Sequence, residues 1–168
     1  FDGRQVKTFL LSEYPISVLC DRENHTWVTT KKQVLQFKHD HTGFLPVNIN
    51  DTSQNTIGNI FQIAVGKVYL QSVNGFYIFD SAQNNFRPVD FGISNLKINT
   101  QLFTYYNHTI FFIAGESVYS FDPDNNKLKS LPVKSIFSME AISDDKLLLS
   151  DWDYVTSEYN FKTSVISR

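Results

Sequence analysis

The chain has only one cysteine, Cys20, in 168 residues. A single thiol can form neither an internal disulfide nor a multi-cysteine metal site, so a disulfide-stapled scaffold and a zinc module are both excluded. Because Cys20 ends the apolar run 16–20, we expect it to be a small, buried hydrophobic residue.

Charged residues are also scarce, at 19% of the chain, and the formal net charge is only −2. Nucleic-acid-binding proteins concentrate Lys and Arg on one face, and this sequence offers no such basic surface. No run approaches the roughly 18 to 20 apolar residues that a membrane-spanning helix needs. The composition therefore predicts no nucleic-acid partner and no membrane span.

The motifs of common enzyme sites are missing as well. There is no Gly-x-Ser-x-Gly nucleophile turn, no Gly-rich phosphate loop and no His-Glu-x-x-His zinc motif. His39 and His41 could both contact a metal ion, but two ligands without a third do not make a site. We therefore expect no catalytic residue, no metal and no cofactor.

Aromatic residues, in contrast, are abundant, with 15 Phe, 8 Tyr and 2 Trp, and they favour the half-buried surfaces of β-sheets. The sequence also repeats itself with a period of 42 residues, at which Phe37, Phe79 and Phe121 coincide. Five further apolar sets share this offset: Val18, Ile60 and Leu102; Trp27, Tyr69 and Phe111; Leu35, Tyr77 and Tyr119; Phe44, Phe86 and Leu128; Val47, Val89 and Leu131.

A fourth copy follows at a spacing of 38, with Tyr159 and Asn160 in the places of Phe121 and Asp122. Within each copy, apolar and polar residues alternate in short runs separated by turn residues, which predicts four strands. The predicted strands are 17–21, 26–30, 34–39 and 44–47 in the first copy, 59–64, 67–71, 76–80 and 86–89 in the second, and 102–106, 109–113, 117–122 and 128–131 in the third.

Four strands in about 40 residues is the period of a β-propeller blade. The predicted fold is therefore all-β, a β-propeller fragment of about four four-stranded antiparallel blades, and an open arc is favoured over a closed four-bladed ring. The blades are predicted at 13–50, 51–92, 93–134 and 135–168. Residues 1–12 are predicted to be the outer strand of a preceding blade, because Phe1-Asp2 begins the same pattern as Phe121-Asp122.

In an open arc, each terminal blade lacks a neighbour for one apolar face. Such faces, and unpaired strand edges, tend to be covered by a partner. We therefore expect the chain to contact the remaining blades of the same protein, or to form a homodimer. The expected edges are Val6–Phe9 and Phe161–Ile166.

The first copy also resembles a known repeat. The matching residues between Ile16 and Asp40 are Val18, Asp21, Asn24, Trp27-Val28, Thr30, Leu35 and Phe37. They resemble the two-component regulator propeller repeat, in which an Asp-x-x-Gly-type turn precedes a Trp-Ile-Gly-Thr strand and a Gly-Leu strand ending in an aromatic residue and Asp. The sequence departs from it at Thr29-Thr30, which replaces Gly-Thr, and in later copies, where Tyr69 or Phe111 replaces Trp.

Such repeats form the periplasmic sensor region of Bacteroides hybrid two-component system histidine kinases. The resemblance implies that this segment belongs to an extracytoplasmic, ligand-sensing propeller in the periplasm and responds to oligosaccharides. The missing catalytic motifs predict that the segment itself is not an enzyme. Two alternatives remain: a protein-interaction propeller scaffold, and an arc of a propeller glycosidase or lyase.

One loop is a candidate ligand site. Trp152 and Tyr154 lie among the carboxylates Asp151 and Asp153, between the predicted second and third strands of the last copy. In propellers this connection lies on the same face as the links between blades, and aromatic rings beside carboxylates suit sugars. The same acids argue against catalysis: with Glu158 they crowd one segment, whereas an active site on the propeller axis draws acids from several blades.

Overall fold

The computed structural model describes residues 8–37, 43–50, 56–73, 75–93, 98–143 and 145–167. These ranges contain only strands, turns and irregular segments, so they include no helix that could cross a membrane. The strands are β1 (Ser17–Cys20), β2 (Thr26–Thr29), β3 (Val34–Phe37), β4 (Leu45–Ile49), β5 (Ile57–Ala64), β6 (Lys67–Ser72), β7 (Gly75–Asp80), β8 (Asn85–Pro88), β9 (Ile98–Tyr106), β10 (Thr109–Ala114), β11 (Ser117–Asp122), β12 (Lys127–Lys134), β13 (Ile136–Ser143), β14 (Lys146–Asp151), β15 (Thr156–Asn160) and β16 (Val165–Ser167).

The strands form four antiparallel groups of four, β1–β4, β5–β8, β9–β12 and β13–β16, which we call blades 1 to 4. Within each blade, consecutive strands are hydrogen-bonded neighbours. The first strands adjoin from blade to blade, β1 beside β5, β5 beside β9 and β9 beside β13, so they form the inner rim. The predicted fold class, a β-propeller fragment of four-stranded antiparallel blades, is confirmed.

Two inner strands are longer than the sequence predicts. β5 begins at Ile57 and β9 at Ile98, whereas the alternating pattern indicated starts at 59 and 102. The pairing register shifts between Ile57 and Ile60, and again opposite β9 between Phe112 and Ala114. Such irregularities interrupt the period-2 alternation, which is why the pattern did not reveal the first residues of these strands.

The turns between third and fourth strands show why the repeat folds as it does. In each of three blades, a side-chain oxygen at the end of the third strand accepts hydrogen bonds from the backbone N–H groups two and three residues later, at 2.9–3.2 Å. The accepting residues are Asp80, Asp122 and Asn160, and the residues that close the turns with positive φ are Asn84, Asn126 and Ser164. Asp and Asn stabilise such turns. The spacings of 42 and 38 residues between the accepting residues therefore separate three copies of the same turn.

The core lies between blades. Trp27 on β2 is fully buried and packs its ring against Phe79 and Phe86 of blade 2, with centroids 4.7 and 5.7 Å apart. Its repeat equivalents Tyr69 and Phe111 are also buried, each in the next inter-blade cluster. The residues that coincide at the 42-residue offset as Trp27, Tyr69 and Phe111 therefore pack between neighbouring sheets.

Asp21 fixes the orientation of Trp27. The Trp27 Nε1 group donates to Asp21 Oδ2 at 2.7 Å, and the backbone N–H groups of Glu23 and His25 donate to Asp21 Oδ1 at 3.0 and 2.8 Å. Burial by itself would raise the pKa of Asp21, but these hydrogen bonds and the nearby His25 ring hold its pKa below the ordinary value. The β1–β2 turn and the core are therefore joined through one carboxylate.

The expectation for Cys20 is wrong, because its side chain is exposed. Successive residues of a strand point to opposite faces of the sheet. Leu19 packs toward the cluster between blades 1 and 2, so Cys20 and Val18 share the opposite face of β1, where Val18 is 61% exposed.

Blades 1 and 2 are also joined through their backbones. At the outer rim, β4 pairs in parallel with β8 through Asn48↔Asn85 and Ile49↔Phe86, and the Asn50 N–H donates to the Phe86 carbonyl at 2.8 Å. At the β1–β2 turn, the Glu23 carboxylate accepts from Gln62 Nε2 at 2.8 Å and from the backbone N–H of Gly66. The two blades therefore form one eight-stranded sheet.

The predicted edges are only partly within the described residues. Residues 1–7 lie outside them, and residues 8–16 form no strand, although Phe9 packs on Phe37 and Phe44 at 5.3 Å. At the other end, β16 begins at Val165 rather than at Phe161, because the Asn160 turn occupies the residues between. Val165 is exposed on this outermost strand. The preceding outer strand and the homodimer stay predictions.

Replacing Trp27 tests the inter-blade core. Trp27→Ala should lower the free energy of unfolding by about 3 to 5 kcal/mol, because it removes a large buried side chain and leaves a cavity. Urea denaturation monitored by circular dichroism measures this decrease in the free energy of unfolding. Val18→Ala, on an exposed face, is the control and should change stability by roughly 0.5 kcal/mol or less. A denaturation midpoint that hardly moves in the Trp27 variant would contradict the packing described.

The depressed pKa of Asp21 predicts an acid-dependent stability. A carboxyl group whose pKa is lower in the folded than in the unfolded state stabilises the fold above its ordinary pKa, which is 3.8 here. That contribution is lost as the pH falls through the folded-state pKa. Asp21→Asn should therefore be less stable than the wild type at pH 7, and the gap should narrow at acid pH. Denaturation midpoints between pH 7 and 2.5 measure this, and a gap independent of pH would contradict it.

Candidate functional site

The candidate ligand loop lies where the sequence predicts, between the second and third strands of blade 4. Strand β14 ends at Asp151 and β15 begins at Thr156. Asp151 is paired with Ile136, the first residue of β13, so the loop stands beside the link from blade 3 to blade 4. The structure therefore places it on the face that carries the links between blades.

Three aromatic rings meet at this loop. The Phe137 ring packs against Trp152 with centroids 5.5 Å apart and against Tyr154 at 6.0 Å in an edge-to-face arrangement. Trp152 is 70% exposed and Tyr154 is 86% exposed, whereas Phe137 is half-buried beneath them. The arrangement is a supported aromatic surface, which we call the aromatic platform, made of Phe137, Trp152 and Tyr154.

The two carboxylates beside the platform have different surroundings. Asp151 Oδ1 accepts hydrogen bonds from the backbone N–H groups of Asp153 and Val155, both at 3.0 Å, and Asp151 is half-buried. Asp153 is exposed at the tip of the loop. One carboxylate is therefore engaged in folding the loop, while the other faces solvent next to the exposed rings.

Phe137 is the site residue that sequence reasoning missed. The sequence places the fourth copy through Tyr159 and Asn160, and no alternating pattern marks the bounds of its first strand. The register of β13 against β14 is what brings Phe137 beside Trp152. An aromatic residue directly after the start of an inner strand is the signal that could have pointed to it.

The equivalent loops in other blades differ in chemistry. The β2–β3 loop carries the exposed residues Lys31 and Lys32, and the β10–β11 loop carries exposed Glu116. In blade 2 the corresponding Asn74 lies outside the described residues. Blades 1 and 3 thus present charged turns where blade 4 presents aromatic rings.

Among the described residues, the carboxyl groups with a shifted pKa are all shifted downward. Hydrogen bonds donated by the Ser143 hydroxyl and the Asn160 amide, both at 2.9 Å, hold the pKa of Asp145 below its ordinary value. Asp21 is shifted in the same direction, whereas a general acid needs a raised pKa. Across the described ranges, no three His, Cys, Asp or Glu side chains are placed to hold a metal ion, and His39 and His41 fall outside those ranges.

No protein-family model matches the chain, and no curated protein sequence matches it either. Solved structures do match. The extracellular domain of the hybrid two-component system BT3049 from Bacteroides thetaiotaomicron is 13% identical, with a TM-score of 0.68 over 95% of this chain and 25% of that chain. YCF48 bound to D1 peptide is 9% identical, with a TM-score of 0.73 over 96% and 55%. Virginiamycin B lyase from Staphylococcus aureus is 12% identical, with a TM-score of 0.67 over 91% and 54%.

These likenesses define the chain as a segment of a β-propeller. It spans about a quarter of the BT3049 chain and about half of the other two. The fold agrees with the predicted resemblance to the extracellular sensor regions of Bacteroides two-component systems. At these identities the likeness concerns the fold, which carries a sensor domain, a peptide-bound protein and a lyase alike.

Fluorescence quenching can test the geometry of the aromatic platform. The chain has two tryptophans, of which Trp27 is fully buried and Trp152 is largely exposed. Acrylamide should therefore quench only part of the emission, and that part should disappear in Trp152→Phe. Trp152→Phe should leave a blue-shifted, weakly quenched signal from Trp27. Equal quenching of wild type and variant would contradict the exposure of Trp152.

Proposed function

We propose that the chain is part of the extracytoplasmic, ligand-sensing propeller of a hybrid two-component sensor histidine kinase, located in the periplasm. We propose further that it responds to an oligosaccharide bound at the aromatic platform. The observation that carries this proposal is the exposed pair Trp152 and Tyr154, supported from below by Phe137. The shared fold with the BT3049 extracellular domain supports the sensor role.

The chemistry of the site suits a sugar. The axial C–H groups of a pyranose ring pack against aromatic faces, and its hydroxyl groups donate hydrogen bonds to carboxylates. Trp152 and Tyr154 supply the faces, and the exposed Asp153 supplies an acceptor within the same loop. Two carboxylates beside the rings disfavour acidic sugars by charge repulsion. We therefore expect neutral oligosaccharides.

Binding without turnover is the expected behaviour of this site. Glycoside hydrolysis needs two carboxyl groups held on opposite sides of the bond to be cleaved, one of them with a raised pKa. Asp151 and Asp153 are two residues apart in one loop, and Asp151 Oδ1 is occupied by two backbone N–H groups. This arrangement supports recognition rather than catalysis.

Binding measurements test the proposal. Isothermal titration of the purified chain with neutral hexaoses of glucose, xylose, mannose and arabinose should identify a ligand. Trp152→Ala should weaken its binding by about five- to tenfold, because aromatic stacking contributes about 1 kcal/mol or slightly more. Tyr106→Ala is the matched control, since Tyr106 is also an exposed aromatic residue but ends β9 at the turn to β10.

Two results would contradict the proposal. One is the absence of binding to every sugar of the panel, which would favour a protein-interaction scaffold. The other is cleavage of any sugar that is lost in Asp153→Asn, which would favour a propeller glycosidase or lyase. Chromatography of the sugars after long incubation with the chain measures the second.

A further inference from the structure

Two loops of the chain share one backbone structure, although they join different pairs of strands. In the β14–β15 loop, the Asp151 N–H donates to the Val155 carbonyl at 3.1 Å and the Tyr154 N–H donates to the Asp151 carbonyl at 3.0 Å. In the β1–β2 turn, Asp21 makes the same two backbone contacts with His25 and Asn24, at 3.0 and 3.1 Å. Both loops thus begin with an Asp that closes a five-residue turn.

The side-chain contacts of the two Asp residues match as well. Asp151 Oδ1 accepts from the N–H groups two and four residues later, at 3.0 Å each. Asp21 Oδ1 accepts from the N–H groups two and four residues later, at 3.0 and 2.8 Å. The carboxylate oxygen therefore acts as a fixed internal acceptor in both loops.

The fourth residue of each loop has a left-handed backbone conformation. Asn24 has φ of 64° and Tyr154 has φ of 60°. Asn adopts this conformation readily because its short polar side chain can form local hydrogen bonds, whereas a bulky residue there is an outlier. The turn therefore contains its preferred residue in blade 1 and a strained one in blade 4.

The strained residue is also a member of the aromatic platform. Tyr154 is 86% exposed, so its conformation is not required for filling the core. Backbone strain of this kind persists only where the surrounding structure over-determines it, and it concentrates at functional sites. Here the four hydrogen bonds centred on Asp151 provide that constraint.

We propose that Asp151 is a positioning residue, which holds Tyr154 in a strained conformation so that its ring and that of Trp152 stay presented on Phe137. Asp153 is then the carboxylate that contacts the ligand. The identity of the ligand in this assignment rests on the proposed function. The hydrogen bonds by which Asp151 constrains the loop do not depend on which ligand binds.

Thermal unfolding tests the strain without any ligand. Tyr154→Asn and Tyr154→Ala both lose the aromatic ring, so the difference between them isolates the left-handed conformation. Tyr154→Asn should melt about 2 to 5 °C above Tyr154→Ala. The matched control is Asn24→Ala, which should melt below the wild type by a similar amount. Equal melting temperatures for the two Tyr154 variants would overturn the proposal.

A second pair of variants tests the positioning role. Asp151→Asn keeps the Oδ1 acceptor for both N–H groups, and Asp151→Ala removes it. Acrylamide quenching and fluorescence anisotropy of Trp152 should be unchanged in the Asn variant, whereas the Ala variant should show lower anisotropy. For a neutral hexaose that binds, the Asn variant should stay within about twofold of the wild-type affinity and the Ala variant should lose about tenfold or more.

The outcomes separate this proposal from the proposed function. If Asp151→Asn weakens binding as much as Asp151→Ala, the charge of Asp151 contacts the ligand and the positioning role is wrong. If Asp151→Ala leaves the Trp152 anisotropy unchanged, the carboxylate does not hold the loop and the proposal is also wrong. If no hexaose binds but the melting and anisotropy results are as expected, the oligosaccharide proposal fails and the positioning role stands.

Discussion

Packing between adjacent sheets is the interaction on which the rest of this structure depends. Each four-stranded sheet presents apolar side chains on its faces and can bury them only against another sheet. Trp27, Tyr69 and Phe111, one from the second strand of each of the first three blades, occupy the inter-blade clusters. The 42-residue repeat of apolar residues thus corresponds to the same inter-blade contact, made once per blade.

Much of the fold could be predicted from the sequence because two local signals agree. The apolar spacing located the core face, and polar turn residues between the apolar runs, such as Asn84 and Asn126, located the hairpins. Features that depend on neighbouring strands could not be predicted. The early starts of β5 and β9 accompany register irregularities, and the exposure of Cys20 depends on which face of β1 meets blade 2.

The candidate site, like the fold, could be predicted from the sequence only in part. The Ser150–Tyr154 segment stood out by its residue types alone, and the structure places Trp152 and Tyr154 together on one surface. Phe137 is distant in sequence and reaches the loop only through the pairing of β13 with β14, so the residues of the loop itself could not reveal it. The different surroundings of Asp151 and Asp153 are likewise set by backbone geometry, since the two residues are chemically identical in the sequence.

The pairing of β4 with β8 has a mechanical consequence. Blades 1 and 2 are held together by more than side-chain packing, because main-chain hydrogen bonds also cross the outer rim between them. Any motion that opens this seam has to break those bonds in addition to exposing the Trp27 cluster. Blades 1 and 2 should therefore open as one cooperative unit, with slow hydrogen exchange at the Asn50 amide, so that a displacement applied to one of them is transmitted to the other as a rigid body.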